Sequence, residues 1–155
     1  MSVKPLMRYA LLIASLTFAA FSQAATEAKP VMVNSTQNFE QTVSSIKAAI
    51  KDMGLAIIFE ANHKNMIEMV GGQATPSIVI GFAKPQMGEQ LLSIEPLAGI
   101  EMPMRIAIRE LNDGQVKVIY YQPSALFANY NNPKLGKLGE KMDKMVAMFV
   151  KAGTK

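Results

Sequence analysis

Residues 101–121 read EMPMRIAIRELNDGQVKVIYY, and the fold turns on how this stretch pairs with itself. Met102, Met104, Ile106 and Ile108 alternate with Pro103, Arg105, Ala107 and Arg109; Val116, Val118 and Tyr120 alternate with Lys117, Ile119 and Tyr121. A period of two over each half, broken by Asn112-Asp113-Gly114, predicts a β-hairpin. Loop length sets the register. A two-residue loop at Asp113-Gly114 would pair Ile108 with Ile119 and set one strand's apolar residues against the other's polar ones. A three-residue loop, Asn112-Asp113-Gly114, pairs Ile108 with Val118 and Ile106 with Tyr120, so both apolar sets share one face. It also puts Gly114 where such a loop needs a left-handed residue. The same register sets Arg109 opposite Lys117, a like-charge pair that is mildly unfavourable unless the tips splay into water. The alternative is an acidic group, from a partner or a ligand, lying over that face. Arg105 beside Tyr121 adds a cation next to an aromatic ring.

Working back toward the N-terminus, SIVIGFA (77–83) is a second strand, and Lys84-Pro85 opens a short helix with Pro at its first position. That helix carries Met87, Leu91 and Ile94 and ends at Glu95-Pro96. LAIIFE (55–60) is a strand, apolar on nearly both faces and so expected at the centre of the sheet. Residues 61–76 read as a connection. A first helix precedes it, with Asn38 as N-cap, Gln41 completing a capping box, Phe39, Val43, Ile46, Ile50 and Met53 at helical spacing, and Gly54 as a left-handed stop. An edge strand is expected around Val31–Val33. Toward the C-terminus, PSALFANY (123–130) predicts one or two helical turns. Asn132-Pro133 then opens a long helix with the stripe Leu135, Leu138, Met142, Met145, Val146 and Phe149, ended by Gly153. The sum is an α+β domain: a small, mostly antiparallel sheet packed by an N-terminal and a C-terminal helix, in the rough order (β)-α-β-β-α-β-β-α-α.

The first 24 residues follow the grammar of a secretory signal peptide: Lys4 and Arg8, an apolar run from Tyr9 to Phe21, then Ser22-Gln23-Ala24-Ala25. Cleavage is expected after Ala24 or Ala25. The apolar run is shorter than the roughly 20 residues a spanning helix needs, so no stable membrane span is expected after cleavage. The expected address is the periplasm, with secretion as the alternative. Residues 26–155 then form a single domain, within the usual size for one. The formal charge of +4 is carried in part by Lys4 and Arg8, and the scattered lysines that remain do not make a nucleic-acid-binding surface.

The chain has no cysteine. That excludes a disulfide framework, a thiol nucleophile, an iron–sulfur cluster and a Cys-based zinc site. It has one histidine, His63, at the end of the 55–60 strand. With no G-x-S-x-G elbow, the one hydrolytic arrangement left is a Ser-His-acid set on His63, drawing on Ser77 or Ser93 and on Glu60 or Glu68. Nothing in the sequence brings those serines to His63, and a strand-end hydrogen bond from His63 to backbone or to a carboxylate such as Glu60 is the structural expectation. Gly71-Gly72 lacks the context of a phosphate loop. For metals, Met66 and Met69 near His63 make a thioether-plus-imidazole set suited to Cu(I). Against that, Met142 and Met145 lie on a core stripe, where Met is an ordinary filler. No cofactor is predicted, with Cu(I) at His63, Met66 and Met69 as the alternative.

Several words of this sequence resemble the domain-of-unknown-function family numbered 302: the strand ending in His (Phe59 to His63), Ile80-Gly81-Phe82-Ala83-Lys84-Pro85, Pro96-Leu97-Ala98-Gly99-Ile100-Glu101-Met102-Pro103-Met104-Arg105, and Tyr120-Tyr121-Gln122-Pro123. The resemblance covers Phe39 to Tyr130, leaving the helix over 133–152 outside it. It implies a compact α+β domain, a sheet backed by helices, often dimeric, with no established activity. The chain departs from that pattern at Lys84, where Asn is common, and at Tyr130, where His is expected.

The functional expectation is a non-catalytic binding or self-associating module, a homodimer with room for a small ligand. A Cu(I)-binding protein and a hydrolase using His63 are the alternatives. The candidate functional residues are His63, Glu60, Arg105 and Tyr121; the candidate interface residues are Met102, Met104 and Phe127.

Overall fold

The computed structural model describes residues 27–155; the signal peptide read in residues 1–24 and its cleavage positions lie outside the described residues. The chain runs β1 (Pro30–Asn34), α1 (Phe39–Asp52), β2 (Ala56–Asn62), α2 (His63–Glu68), β3 (Ser77–Ala83), α3 (Pro85–Ile94), a 3-10 segment (Pro96–Glu101), β4 (Met104–Glu110), β5 (Val116–Tyr121), α4 (Pro123–Phe127), a 3-10 turn (Ala128–Tyr130) and α5 (Pro133–Gly153). All strand pairs are antiparallel, and the sheet order is β1-β5-β4-β3-β2.

The hairpin forms in the register its alternation requires. Ile106 pairs with Tyr120, Ile108 with Val118 and Arg109 with Lys117. Leu111 N–H donates to Gln115 at 2.8 Å, Gly114 N–H donates to Leu111 at 2.9 Å, and Gly114 sits at φ +81°. The Asp113 carboxylate accepts from Gln115 N–H at 3.0 Å and holds the loop. Helix α1 starts as read: Asn38 accepts from Gln41 N–H at 2.9 Å, and the Gln41 side chain accepts from Asn38 N–H at 3.4 Å. Gly54 takes the left-handed turn that ends it, at φ +71°. Helix α3 starts at Pro85 with no side-chain cap, as Lys84 in place of Asn implies.

One face of the sheet is closed. Ile78, Ile80 and Phe82 of β3, Met104, Ile106 and Ile108 of β4, and Val116, Val118 and Tyr120 of β5 point to the helices and are buried. They meet Ile46 and Ile50 of α1, and Leu135, Met142, Val146 and Phe149 of α5. Phe82 and Phe149 pack edge to face, centroids 5.1 Å apart at 85°, a geometry that favours aromatic pairs beyond their buried area.

Three expectations fail. Strand β2 is an edge strand, not a central one. Its apolar look on both faces comes from Ile57 on the helix side, Phe59 on the other, and a register shift between them that leaves Ile58 exposed; bulges of this kind blunt an edge. The 61–76 connection contains α2, whose Asn62 cap accepts from Asn65 N–H at 3.0 Å; six residues with no buried side chain leave no apolar stripe to read. Gly153 is the last helical residue rather than a stop beyond it. A Cβ there would collide with Ile46 of α1, so this glycine serves helix contact. Gly139 does the same for α4: a Cβ would lie 2.6 Å from Ser124 Cα. Asp143 of α5 completes that contact by accepting from Ser124 N–H at 3.0 Å and from the Ser124 hydroxyl.

Candidate functional site

Among the described residues, no helix lies across the middle of the sheet's second face. Strand alternation places three rows on it. One runs Asn34, Lys117, Arg109, Ser77; the next Met32, Ile119, Ala107, Val79, Ala61; the third has Pro30 beside Tyr121, and Arg105 beside Gly81 and Phe59. The middle row is apolar and half-buried apart from the exposed Met32. The Phe59 ring lies over Gly81, where any side chain would collide with it; an aromatic covering a strand glycine restores packing the glycine lacks. Arg105, Arg109 and Lys117 give this face three cations, and its strand residues include no Asp or Glu. The ion pairs among the described residues are Lys47–Glu60 and Lys64–Glu68, elsewhere on the surface. Lys117 turns from Arg109 and donates to Asn34 at 2.9 Å, which relieves the like-charge pair.

At the end of the sheet where β4 and β5 meet α4, an apolar slot of about 30 Å³ leads from Arg105 and Tyr121 in among side chains of the helix side. Since about 10–15 Å³ holds one water, it admits the tip of an apolar group. Phe82, Met104, Leu126, Phe127 and Val146 form its walls, with Glu101 at the rim. Tyr130, where the resemblance led to the expectation of a His, donates to Glu101 at 3.0 Å. Burial, that hydrogen bond and the nearby carboxylates of Glu101 and Glu95 raise its phenol above the ordinary 10.0, so it stays a neutral donor. Tyr120, on the covered face, is raised too, first by burial and then by Asp143. Four sequence candidates, Met104, Arg105, Tyr121 and Phe127, thus converge on one place. Two of them change role. Met104 is 7% and Phe127 1% exposed, so they are the inside of the slot and cannot be an exposed interface; Met102 is half-buried. Outward alternation cannot reveal this, because α4 folds over the sheet end only in three dimensions.

His63 stands at the opposite corner as the first residue of α2, exposed. Its Nδ1 lies 3.4 Å from the Ser77 hydroxyl, a juxtaposition the sequence did not indicate. Ser77 is 8% exposed. The expected Glu60 partner is elsewhere: Glu60 points to the helix side, where Lys47 of α1 holds it at 2.6 Å. No carboxylate among the described residues hydrogen-bonds His63, so the pair lacks the group that orients the base in a hydrolytic triad. Met66 and Met69 lie on α2 and its C-cap, exposed with Ile67 and Val70. No group of three His, Cys, Asp or Glu able to hold a metal occurs among the described residues.

A five-stranded antiparallel sheet with helices on one face defines an α+β protein of β-α-β4-α plan once the short helices are set aside. The family model described as "Domain of unknown function DUF302" matches residues 31–152, and the chain belongs to that family. The match takes in β1 and nearly all of α5, beyond the stretch whose words carry the resemblance. An uncharacterized conserved DUF302 protein from Bacillus stearothermophilus has the same fold: its crystal structure superposes with a TM-score of 0.75 over 81% of this chain and 98% of that one, at 18% identity. Two proteins named as fluoride-specific ion channels, FluC 1 of Brucella suis and FluC 1 of Brucella abortus, are each 26% identical over 96 residues. That is 62% of this chain but 38% and 36% of theirs. No helix among the described residues is long and apolar enough to cross a membrane.

Proposed function

We propose that the protein is an exported, non-catalytic binding module of the periplasm whose working surface is the open face of its sheet. One observation carries this: three cations and an apolar row lie on a sheet face whose strands carry no carboxylate and whose middle no helix among the described residues covers. A surface that served only stability would be dotted with both signs of charge. The slot beside Arg105 and Tyr121 adds a place for an apolar tip. The ligand class is therefore a small amphiphile, or a peptide end, with an apolar group next to an anion. Octanoate is the simplest probe. Calorimetry on the mature protein should show saturable binding that Arg105→Gln weakens about tenfold, the scale of a charge-assisted hydrogen bond. Binding that Arg105→Gln leaves untouched removes the proposal.

Self-association is the second reading, and it belongs at the α2–β2 corner. An isologous dimer sets the same patch against itself. Across the open face that would oppose like cations, whereas the corner exposes Ile58, Phe59, Met66, Ile67, Met69 and Val70 and pairs both its lysines, Lys47 and Lys64, with Glu60 and Glu68. Light scattering should then report a dimer that Met69→Lys with Val70→Lys dissociates; a monomer at high concentration counts against it. The Cu(I) alternative draws on the same corner, where His63, Met66 and Met69 follow at three-residue steps along one exposed stripe. Equal Cu(I) affinity of wild type and His63→Ala eliminates it.

A further inference from the structure

A second polar site lies at the other end of the open face from the slot, and it stands on different residues. Between the loop after α2 and the β4–β5 turn is a shallow hollow of about 490 Å³, lined by Ile67, Gln73, Ala74, Thr75, Arg109 and Asn112. Three observations meet there. Thr75 Oγ1 is the one buried side-chain oxygen or nitrogen among the described residues with no hydrogen-bond partner, and such an orphan calls for an explanation. Arg109 takes part in neither ion pair of the described residues, and its cationic neighbour Lys117 is turned away to Asn34. Gln73 and Asn112 supply side-chain amides at the rim, each able to donate.

The acids nearby do not neutralise Arg109. Asp113 shares the adjoining hollow with Arg109 but makes no ion pair with it, and its carboxylate accepts from Gln115 N–H. Glu68 is paired with Lys64. Glu110 falls on the alternate side of β4, while its backbone N–H is tied to Pro76 at 2.9 Å. Behind Arg109 the wall is firm: Ser77 pairs with it across the ladder and touches His63.

We propose that this hollow is an anion-binding site for a carboxylate or phosphate group, held by the Arg109 guanidinium and by hydroxyl and amide donors from Thr75, Gln73 and Asn112, with Ile67 against the ligand's apolar part. A guanidinium suits both groups because its fork of N–H donors matches two oxygens at once. Thr75 Oγ1 is buried and unpartnered in the unliganded chain, so it meets a ligand oxygen by turning about its side-chain bond to another staggered rotamer.

Inorganic phosphate and acetate, titrated separately into the mature protein at low salt, decide this. Amide resonances of Gln73, Thr75 and Asn112 should shift saturably with at least one of them. Arg109→Gln should weaken that binding about tenfold and Thr75→Val about threefold, as expected for one charged and one neutral hydrogen-bond donor. Arg105→Gln, at the far end, should leave it within about twofold, because separate sites are additive. Response to phosphate alone assigns a phosphoryl ligand, and response to acetate alone a carboxylate. Silence to both anions, or an Arg109→Gln protein that binds as wild type does while its thermal unfolding is unchanged, overturns the site. Loss of octanoate binding at Arg105 leaves this result standing, and the reverse holds too.

Discussion

The two faces of one sheet are built from alternate residues of the same strands, yet they obey different rules. On the helix side, Ile80, Phe82, Ile106, Ile108 and Val118 are fully buried in a shared apolar core. On the other side, one residue along in each strand, Arg105, Arg109 and Lys117 stand among the half-buried Ala107, Val79 and Ile119, with no helix among the described residues lying across them. The difference teaches where stability lies. Burying an apolar side chain contributes about 1.5–3 kcal/mol, so the helix side holds the fold. Exposed cations contribute little to it, which leaves the open side free to serve binding.

That division can be broken by mutation, and the largest effect should come from the covered side. Phe82→Ala removes a buried ring packed edge to face against Phe149 and should cost about 3–5 kcal/mol in denaturant unfolding; a cost under about 1 kcal/mol would mean the core is not where the strands place it. Next comes Gly139→Ala. It raises helix propensity by about 1 kcal/mol but drives a methyl into the backbone of α4. Net destabilisation of about 1–3 kcal/mol is expected, and a gain in stability would show that α4 is not seated on α5. Smaller still, Asn38→Ala removes the α1 cap and should lower stability by about 1 kcal/mol, measured in the same unfolding series. The least effect is expected on the open face. Lys117→Gln should change stability by no more than about 0.5 kcal/mol, the usual range for a surface substitution. Its sign sharpens the comparison: a slight gain follows if Arg109 and Lys117 still repel, and a slight loss if the Asn34 contact outweighs that repulsion.

How far the sequence went depends on how local each feature is. The hairpin register was legible because a side-chain period of two and the Asn112-Asp113-Gly114 loop leave a single pairing that shares an apolar face. The α1 cap was legible because its partners, Asn38 and Gln41, are three residues apart. At the site, Arg105 and Tyr121 were legible as neighbours across the hairpin, but the slot between them and α4 was not. His63 was visible as the single imidazole, while its contact with Ser77, 14 residues on, depends on how β2 and β3 pair and how α2 turns back. Glu60 went the other way: near His63 in sequence, it faces α1 because strand neighbours alternate sides.

From its residues alone this chain was bound to be an α+β domain with one defined hairpin, a capped first helix and a long amphipathic last helix, because periodicity and turn chemistry act over a few residues. Only the tertiary structure decided that β2 lies at the edge, that Gly139 and Gly153 are contact points between helices, and that Met104 and Phe127 line a slot while Arg109 and Thr75 share a hollow. Those outcomes depend on which elements come to lie beside one another, and that choice is made by burying apolar surface across long stretches of chain, where no local pattern records it.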